Sequence, residues 1–501
     1  MGGKVFSSGA DPLYTPRMAP AVYEHVKKQC ISALEPLFPR VECPIEAPEK
    51  VSFGDIDILV SLEGSDFQNG AFAGSSVWTL IQEALGGVRS RYEGEVVTDR
   101  GRVVEAKNIA IPWPTDLSTD ECAAQSLLEA DQAAADVASD SHDRGAEKAG
   151  EIECGLKDRY IQVDVRLCDS NQEFEWRLFK HDHGEIWNML GQTIRPFGLT
   201  ADETGLTIRI PEIEKENRKA ARIFLTRSPT EVLDFLGLRH QNGEWKRPLR
   251  SVEDLFEYAA SCKWFMLWPR GSTEAEDEET AASRGAVDDA SNNNKGARDH
   301  SEETKKLKHN DRARMKQRPI FARWVEEFKP RCREQGRFLV TDPDRTPDRV
   351  RDEARRLAFE TFPGSEAAYA AALAAWRREK ARIYVKNKVI KEDACLPADI
   401  SHSHVLPTPQ EGATSAPPDA ERHWRGVLRS ALAKILIQDD AGFGGIVPPA
   451  LRDGDGVLVV EDVRDWVVRN WEEVGRVAWE MQCEKARARM EERRLAEGEA
   501  T

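Results

Sequence analysis

The run Phe53-Gly54-Asp55-Ile56-Asp57-Ile58-Leu59-Val60 constrains the fold most, because two aspartates stand one residue apart in an apolar, β-branched stretch. Alternate side chains of a strand project to opposite faces, so Asp55 and Asp57 share one face and the isoleucines pack on the other. Two adjacent carboxylates on a rigid strand repel each other unless a divalent cation lies between them. Enzymes that handle phosphate hold Mg²⁺ in this way.

A second alternating segment, residues 160–168, carries a third acid. Its apolar residues fall on one face, whereas Asp164 falls on the other face together with Gln162 and Arg166. If the two strands lie side by side, three carboxylates converge and can hold two metal ions roughly 3.5–4 Å apart. The pattern therefore predicts a site for in-line displacement at phosphorus.

The glycine, the acid-apolar-acid strand and the later single-acid strand together resemble the DNA polymerase β-like nucleotidyltransferase superfamily, over roughly residues 15–265. The resemblance implies an α/β (α+β) nucleotidyltransferase-like core with a mixed sheet, in which Asp55 and Asp57 bridge two Mg²⁺ (or Mn²⁺) ions. It implies that Asp164 binds the metal that activates the attacking hydroxyl. An NTP would then donate its nucleotidyl group to a hydroxyl acceptor, and RNA is one of the acceptors left open.

The superfamily also carries a Gly-Ser pair shortly before the paired acids, and residues 42–52 contain no such pair. Lys50 and Ser52 offer an ammonium and a hydroxyl for phosphate instead, with Gly54 beside them. These three residues are the predicted nucleotide-binding set. The alternative interpretation is that Lys50 is solvated and Ser52 caps the strand.

Other classes of protein remain open. The missing Gly-Ser pair favours a catalytically inactive descendant of the fold that acts as an interaction or nucleic-acid-binding module. Metal-dependent glycosyltransferases also use Asp-x-Asp, but they predict an apolar strand that ends at the motif and a mostly parallel sheet. The simplest alternative is a strand end with two solvated acids.

Shifts in composition divide the chain into segments. The core is followed by a helical domain that covers it and by a mainly α-helical C-terminal half. The expected segments are a flexible N-terminus (1–18), the nucleotidyltransferase-like core (19–180) with an acidic, disordered insert (116–156), the helical domain (181–268), a disordered acidic linker (269–310), a helical region (311–395), a second linker (396–420) and a C-terminal helical region (421–501).

The net charge of −16 over 501 residues excludes a nonspecific nucleic-acid coat. The basic run 305–318 is compatible with binding of a nucleic-acid backbone or with nuclear import, and equally with a solvated helix. No segment approaches the roughly 18 apolar residues of a membrane span, so no membrane partner is expected. Nine scattered cysteines without a Cys-x-x-Cys pair indicate an intracellular protein, in cytoplasm or nucleus, without a zinc site.

Three further patterns have a structural and a functional interpretation. His181-Asp182-His183 suggests a metal ligand set, but a helix-capping turn is favoured because no further ligand is nearby. A basic group lines either a substrate groove or a solvated helix face. The apolar stripe of a helix over about 461–495 predicts a packing surface. The basic group is Lys215, Arg218, Lys219 and Arg222.

Overall fold

The computed structural model describes residues 3–8, 11–65, 76–92, 96–98, 101–103, 106–139, 158–269, 314–315, 317–392, 420–440 and 443–498. The chain divides into two compact units, Met1–Ser365 and Glu366–Thr501. The protein has mixed α/β content with a five-stranded mixed sheet, and its C-terminal half is helical.

Within the described residues, the strands belong to the first unit. They are β1 (Arg40–Glu42), β2 (Asp55–Ser61), β3 (Arg89–Tyr92), β4 (Val96–Thr98), β5 (Gly101–Val103), β6 (Ala106–Pro112), β7 (Tyr160–Cys168), β8 (Leu199–Ala201), β9 (Leu206–Arg209) and β10 (Arg222–Thr226).

The helices of the first unit include one 3₁₀ turn and one π-helical segment. They are α1 (Pro20–Leu34), α2 (Ser76–Ala84), α3 (Thr119–Ser139), α4 (Asn171–His181), α5 (Ile186–Ile194), the 3₁₀ turn Arg195–Phe197, α6 (Pro211–Glu214), α7 (Pro229–Leu236), α8 (Val252–Ala260), α9 (Pro319–Arg323), the π-helical Trp324–Phe328, α10 (Lys329–Glu334) and α11 (Pro347–Thr361).

The second unit is helical. It contains α12 (Ser365–Tyr384), which begins at the last residue of the first unit, the π-helical segment Val385–Lys391, α13 (Ala420–Ile437) and α14 (Val460–Gly498).

The main sheet has the strand order β1-β2-β7-β6-β3. β2 and β7 are parallel, whereas the other three pairs are antiparallel. Ile56, Ile58 and Val163 of the two parallel strands are fully buried in one cluster with apolar residues of α1 and α2. Burial of this apolar face fixes which face of the sheet carries the polar residues.

Helix α3 corrects the expectation of a disordered acidic insert at 116–156, because residues 119–139 are helical. Ser118 and Glu121 form a reciprocal capping box at its start, with Ser118 N–H donating to the Glu121 carboxylate at 2.8 Å and Glu121 N–H donating to Ser118 Oγ at 3.3 Å. Buried Gln125 then joins the helix to α1. The rest of the insert, 140–157, lies outside the described residues.

The region predicted as a helical domain at 181–268 also contains a small antiparallel sheet of order β10-β9-β8. Helix α6 ends at Glu214, and Arg222 belongs to β10, where it forms an ion pair with Asp202. The basic group at 215–222 therefore does not form one helix face. Most of the residues in the two predicted linkers and the basic run lie outside the described residues.

The apolar stripe predicted for the last helix is confirmed as a packing surface. Val463, Val467 and Val474 of α14 are fully buried against α13. At Gly475 an added Cβ would lie 2.1 Å from the Trp424 ring, so this close helix contact requires glycine. No helix within the described parts of the chain is both long and apolar enough to cross a membrane.

Gln125→Ala is expected to lower the free energy of unfolding by about 2–3 kcal/mol, because it removes two hydrogen bonds to the backbone before α1 at a buried site. Gln125 accepts from Ala19 N–H at 2.8 Å and donates to the Arg17 carbonyl oxygen at 2.9 Å. Urea denaturation measures the change. Exposed Asp131→Ala on the same helix is the control and should shift stability by less than about 0.5 kcal/mol. Equal effects of the two substitutions would contradict the role of Gln125.

Candidate active site

The predicted acids lie on adjacent strands of the main sheet. β2 and β7 pair in parallel, with Asp57 directly opposite Asp164 and Asp55 opposite Gln162. Because alternate residues share a face, all three aspartates are on the same face of the sheet. The side-by-side pairing on which the sequence-based hypothesis depended is therefore present.

A row of polar residues crosses the sheet through Asp164. Asn108 of β6 is opposite Asp164, and Arg91 of β3 is opposite Asn108. The Asn108 amide donates to Asp164 Oδ1 at 2.7 Å. The Gln162 amide donates to both Asp164 oxygens, at 2.9 and 3.1 Å. Two amides thus orient the carboxylate without neutralising its charge.

The electrostatics of the site are dominated by unneutralised acids. Burial raises the pKa of Asp57 from 3.8 to about 7, and the carboxylates of Asp55, Asp164 and Glu46 contribute to the rise, against the opposing effect of Lys50. Burial also raises the pKa of Asp55, again opposed by Lys50. Solvent still reaches Asp57. The surrounding chain displaces part of the water around this exposed carboxylate, which accounts for its raised pKa.

The predicted nucleotide-binding residues have other partners. The Lys50 ammonium bonds to Glu46 Oε2 at 2.7 Å and lies 4.5 Å from the centre of the Phe53 ring. Ser52 Oγ accepts from Arg17 Nε at 2.8 Å. Lys50 therefore has Glu46 as its ion-pair partner near the acids, and the Ser52 hydroxyl accepts a hydrogen bond from an arginine. Their assignment to nucleotide binding stays a prediction.

Glu46 is a residue of the site that sequence reasoning missed. Its second oxygen accepts from the Tyr23 hydroxyl at 2.8 Å, and the Tyr23 ring stacks on Phe53 with the ring centres 3.9 Å apart. Burial and Glu46 both raise the pKa of Tyr23, which therefore stays protonated as a donor. No strand periodicity marks Glu46, because it lies in an irregular segment before β2.

The N-terminal segment, defined as residues 3–8, packs on the polar face of the sheet and corrects the expectation of a flexible terminus. Phe6 is fully buried. Val5 N–H donates to Gln162 Oε1 at 3.1 Å. The Arg91 guanidinium donates to the carbonyl oxygens of Val5 and Ser8. The segment is thus attached to Gln162, which is opposite Asp55, and to Arg91, which belongs to the row of polar residues through Asp164.

Gly3 brings this segment against the start of β2. Its φ of +82° is in the left-handed region, and an added Cβ would lie 2.1 Å from the Gly54 carbonyl oxygen. Its backbone N–H donates to the Asp55 carboxylate, and this hydrogen bond opposes the rise in the pKa of Asp55 that burial causes. Gly54, predicted in the nucleotide-binding set, is buried and contacts Gly3.

The His-Asp-His motif forms a structural junction. Asp182 accepts from the backbone N–H of Ile45 at 2.8 Å and from the Trp245 indole at 3.2 Å. His183 Nε2 pairs with the Trp245 carbonyl oxygen at 2.7 Å. The motif thus ends α4 and joins it to two distant segments, in line with the favoured interpretation as a turn.

In the part of the chain that the structure describes, no group of three or more histidine, cysteine, aspartate or glutamate side chains is arranged to hold a metal ion. The acids of the site are neighbours by strand register, with Asp164 turned toward its amide donors.

No protein-family model matches the chain. A search of curated proteins likewise gives no match. The chemistry of the site is therefore inferred from its own residues.

Asp57→Asn is expected to stabilise the protein at high pH only. The pKa of Asp57 is about 7 in the folded state, above the ordinary value of 3.8. Protonated Asp57 therefore favours the folded state at low pH, and this stability is lost as the pH rises through 7. After screening by solvent, the variant should gain about 1–2 kcal/mol at pH 8 and almost nothing at pH 4. Urea denaturation across this range measures the difference.

The control is Asp169→Asn, which makes the same chemical change at an exposed position just beyond β7. It should change stability by less than about 0.5 kcal/mol, as surface substitutions usually do. If Asp57→Asn raised the free energy of unfolding equally at pH 4 and pH 8, the electrostatic explanation of the gain would be contradicted.

Proposed function

We propose that the first unit is a nucleotidyltransferase-like enzyme, of the kind found in the DNA polymerase β-like superfamily, that transfers a nucleotidyl group from an NTP to a hydroxyl acceptor. The observation that carries the proposal is the in-register parallel pairing that sets Asp57 beside Asp164, with Asp55 on the same face. A purely structural role does not account for such a group, because neighbouring carboxylates repel each other.

The donor chemistry of the three aspartates fits Mg²⁺ or Mn²⁺, which prefer oxygen ligands. When bound, the metal would supply charge neutralisation at the phosphoryl oxygens during the displacement. Asp55, Asp57 and Asp164 would hold it. The pKa of Asp57 is raised first by burial and then by the carboxylates of Asp55, Asp164 and Glu46, and Lys50 only partly offsets this effect. This concentration of acids supports the metal-binding role.

The remaining side chains orient the reacting groups. Asn108 and Gln162 keep the Asp164 carboxylate in one rotamer. The acceptor hydroxyl oxygen forms a bond to the α-phosphorus while the bond to pyrophosphate breaks, and the hydroxyl proton leaves to the solvent that reaches Asp57. The acceptor itself, whether RNA or another alcohol, is left open by the geometry.

The N-terminal segment offers an alternative to the missing Gly-Ser pair. Arg91 holds this segment against the polar face of the sheet. Its exposed side chains include Lys4, Ser7 and Ser8. They provide an ammonium and two hydroxyls, which are suitable partners for phosphate oxygens. We assign the phosphate-contacting role to these residues rather than to Ser52, whose hydroxyl is held by Arg17.

The second candidate function is an inactive fold that serves as an interaction or nucleic-acid-binding module. The contacts that already engage the acids favour it, because Gly3 donates to Asp55 and two amides donate to Asp164. The glycosyltransferase alternative predicts a mostly parallel sheet, and only one of the four strand pairs of the main sheet is parallel.

Calorimetry with each of the four NTPs, with and without Mg²⁺, tests the proposal. Wild-type protein should bind at least one NTP only when Mg²⁺ is present, and Asp55→Ala/Asp57→Ala should abolish this binding because the metal ligands are lost. The control is Asp158→Ala/Asp169→Ala, which removes two exposed acids that flank β7 and should bind like wild type. Folded wild-type protein that binds no NTP would favour the interaction module.

Ser7→Ala/Ser8→Ala is expected to weaken Mg²⁺-NTP binding about fivefold without a change in melting temperature, because the exposed hydroxyls contact phosphate but not the core. Ser126→Ala is the control, since Ser126 is an exposed serine of α3 whose hydroxyl donates to the Cys122 carbonyl oxygen, as the Ser7 hydroxyl donates to the Lys4 carbonyl oxygen. If the double variant bound Mg²⁺-NTP with unchanged affinity, the phosphate contacts would have to lie elsewhere. That result would not contradict the proposed role of the acids.

A further inference from the structure

The second unit contains a groove that the acid site does not use. Its volume is about 620 Å³, and it lies between one face of α13 and one face of α14, with Phe443 at its edge. Sites for small molecules commonly have volumes of about 300–1,000 Å³. The groove is therefore of a suitable size for a small ligand.

The charged residues that line the groove are all basic. Arg422 and Lys434 come from α13, and Lys485 comes from α14. Elsewhere on the same helices arginines pair with acids one turn away, as Arg425 does with Glu421. Neither Lys434 nor Lys485 has an ion pair among the described residues. In a chain of net charge −16, this is a local positive surface that suits an anion.

The groove also has apolar walls. Val427, Phe443 and Met481 line it together with the alanines of both helices. The Lys434 ammonium lies 5.6 Å from the centre of the Phe443 ring, so a cation and an aromatic surface are next to each other. A simple inorganic anion would gain nothing from these apolar walls, whereas an anion with an apolar body would contact both surfaces.

Gly426 lines the groove. It lies inside α13, where glycine disfavours the helix, and an added Cβ would meet no atom within 4 Å. Gly475 of α14 differs, because its missing Cβ is required by Trp424. Helix packing in the second unit therefore explains why position 475 is glycine, but it does not explain why position 426 is glycine.

We propose that this groove binds a small amphipathic anion, a phosphate or carboxylate head group on an apolar chain. The head group lies between Lys434 and Lys485, and the chain lies along Val427 and Met481. This binding site is separate from the acids of the first unit and does not rest on the proposed function.

Calorimetry of the full-length chain with decyl phosphate, below its micelle concentration and in excess EDTA, tests the proposal. We expect one binding site per chain. Lys434→Gln/Lys485→Gln should weaken binding at least about tenfold, because two charge-assisted contacts are lost. The matched control is Lys386→Gln/Lys391→Gln, which changes two exposed lysines outside the groove and should bind like wild type.

Two comparison ligands separate the contributions of charge and apolar surface. Inorganic phosphate and uncharged decyl maltoside should each bind at least about tenfold more weakly than decyl phosphate, because each lacks one of the two kinds of contact. Equal binding of inorganic phosphate would overturn the proposal in favour of a simple anion site, and equal binding of decyl maltoside would overturn it in favour of an apolar surface.

Gly426→Leu provides an independent variant should the lysine variant fail to fold. It fills the groove with a side chain that favours the helix, so binding should be lost while the melting temperature stays the same or rises. Unchanged binding in folded Gly426→Leu protein would overturn the proposal.

Discussion

Repulsion between carboxylates on two in-register strands is the constraint on which the first unit depends. The register is not free to change, because a shift of one residue between β2 and β7 would turn Asp164 into the core and Val163 toward solvent. Burial of Ile56 and Val163 therefore holds the acids together against their mutual repulsion. Burial of the apolar face stabilises the sheet, and the polar face carries the acids.

The surroundings of the acids moderate this repulsion without removing it. Asp164 receives hydrogen bonds from neutral amides. Lys50 forms an ion pair with Glu46 and also attracts the paired acids electrostatically. The site consequently retains an excess of negative charge. A structural role alone does not account for this excess negative charge. A bound cation, with the phosphates that it carries, would neutralise it.

The shared face of the acids was predictable from the sequence, because alternation in β2 and β7 assigns each side chain to a face. The contacts of the N-terminal segment were not, since Val5 bonds to Gln162 across 157 positions and Arg91 binds backbone oxygens that no side-chain pattern reveals. Helix α3 was missed because acidic composition was given more weight than its capping box. The long periodic stripe of α14 was predictable, as helical packing surfaces generally are.

The N-terminal segment is held largely by its main chain. Arg91 binds the carbonyl oxygens of Val5 and Ser8, and Gly3 and Phe6 are the positions whose side-chain size is restricted. The outward side chains can therefore be exchanged at little cost in stability. Mutation of this short stretch can therefore alter the surface next to the acids while the sheet and its register stay the same.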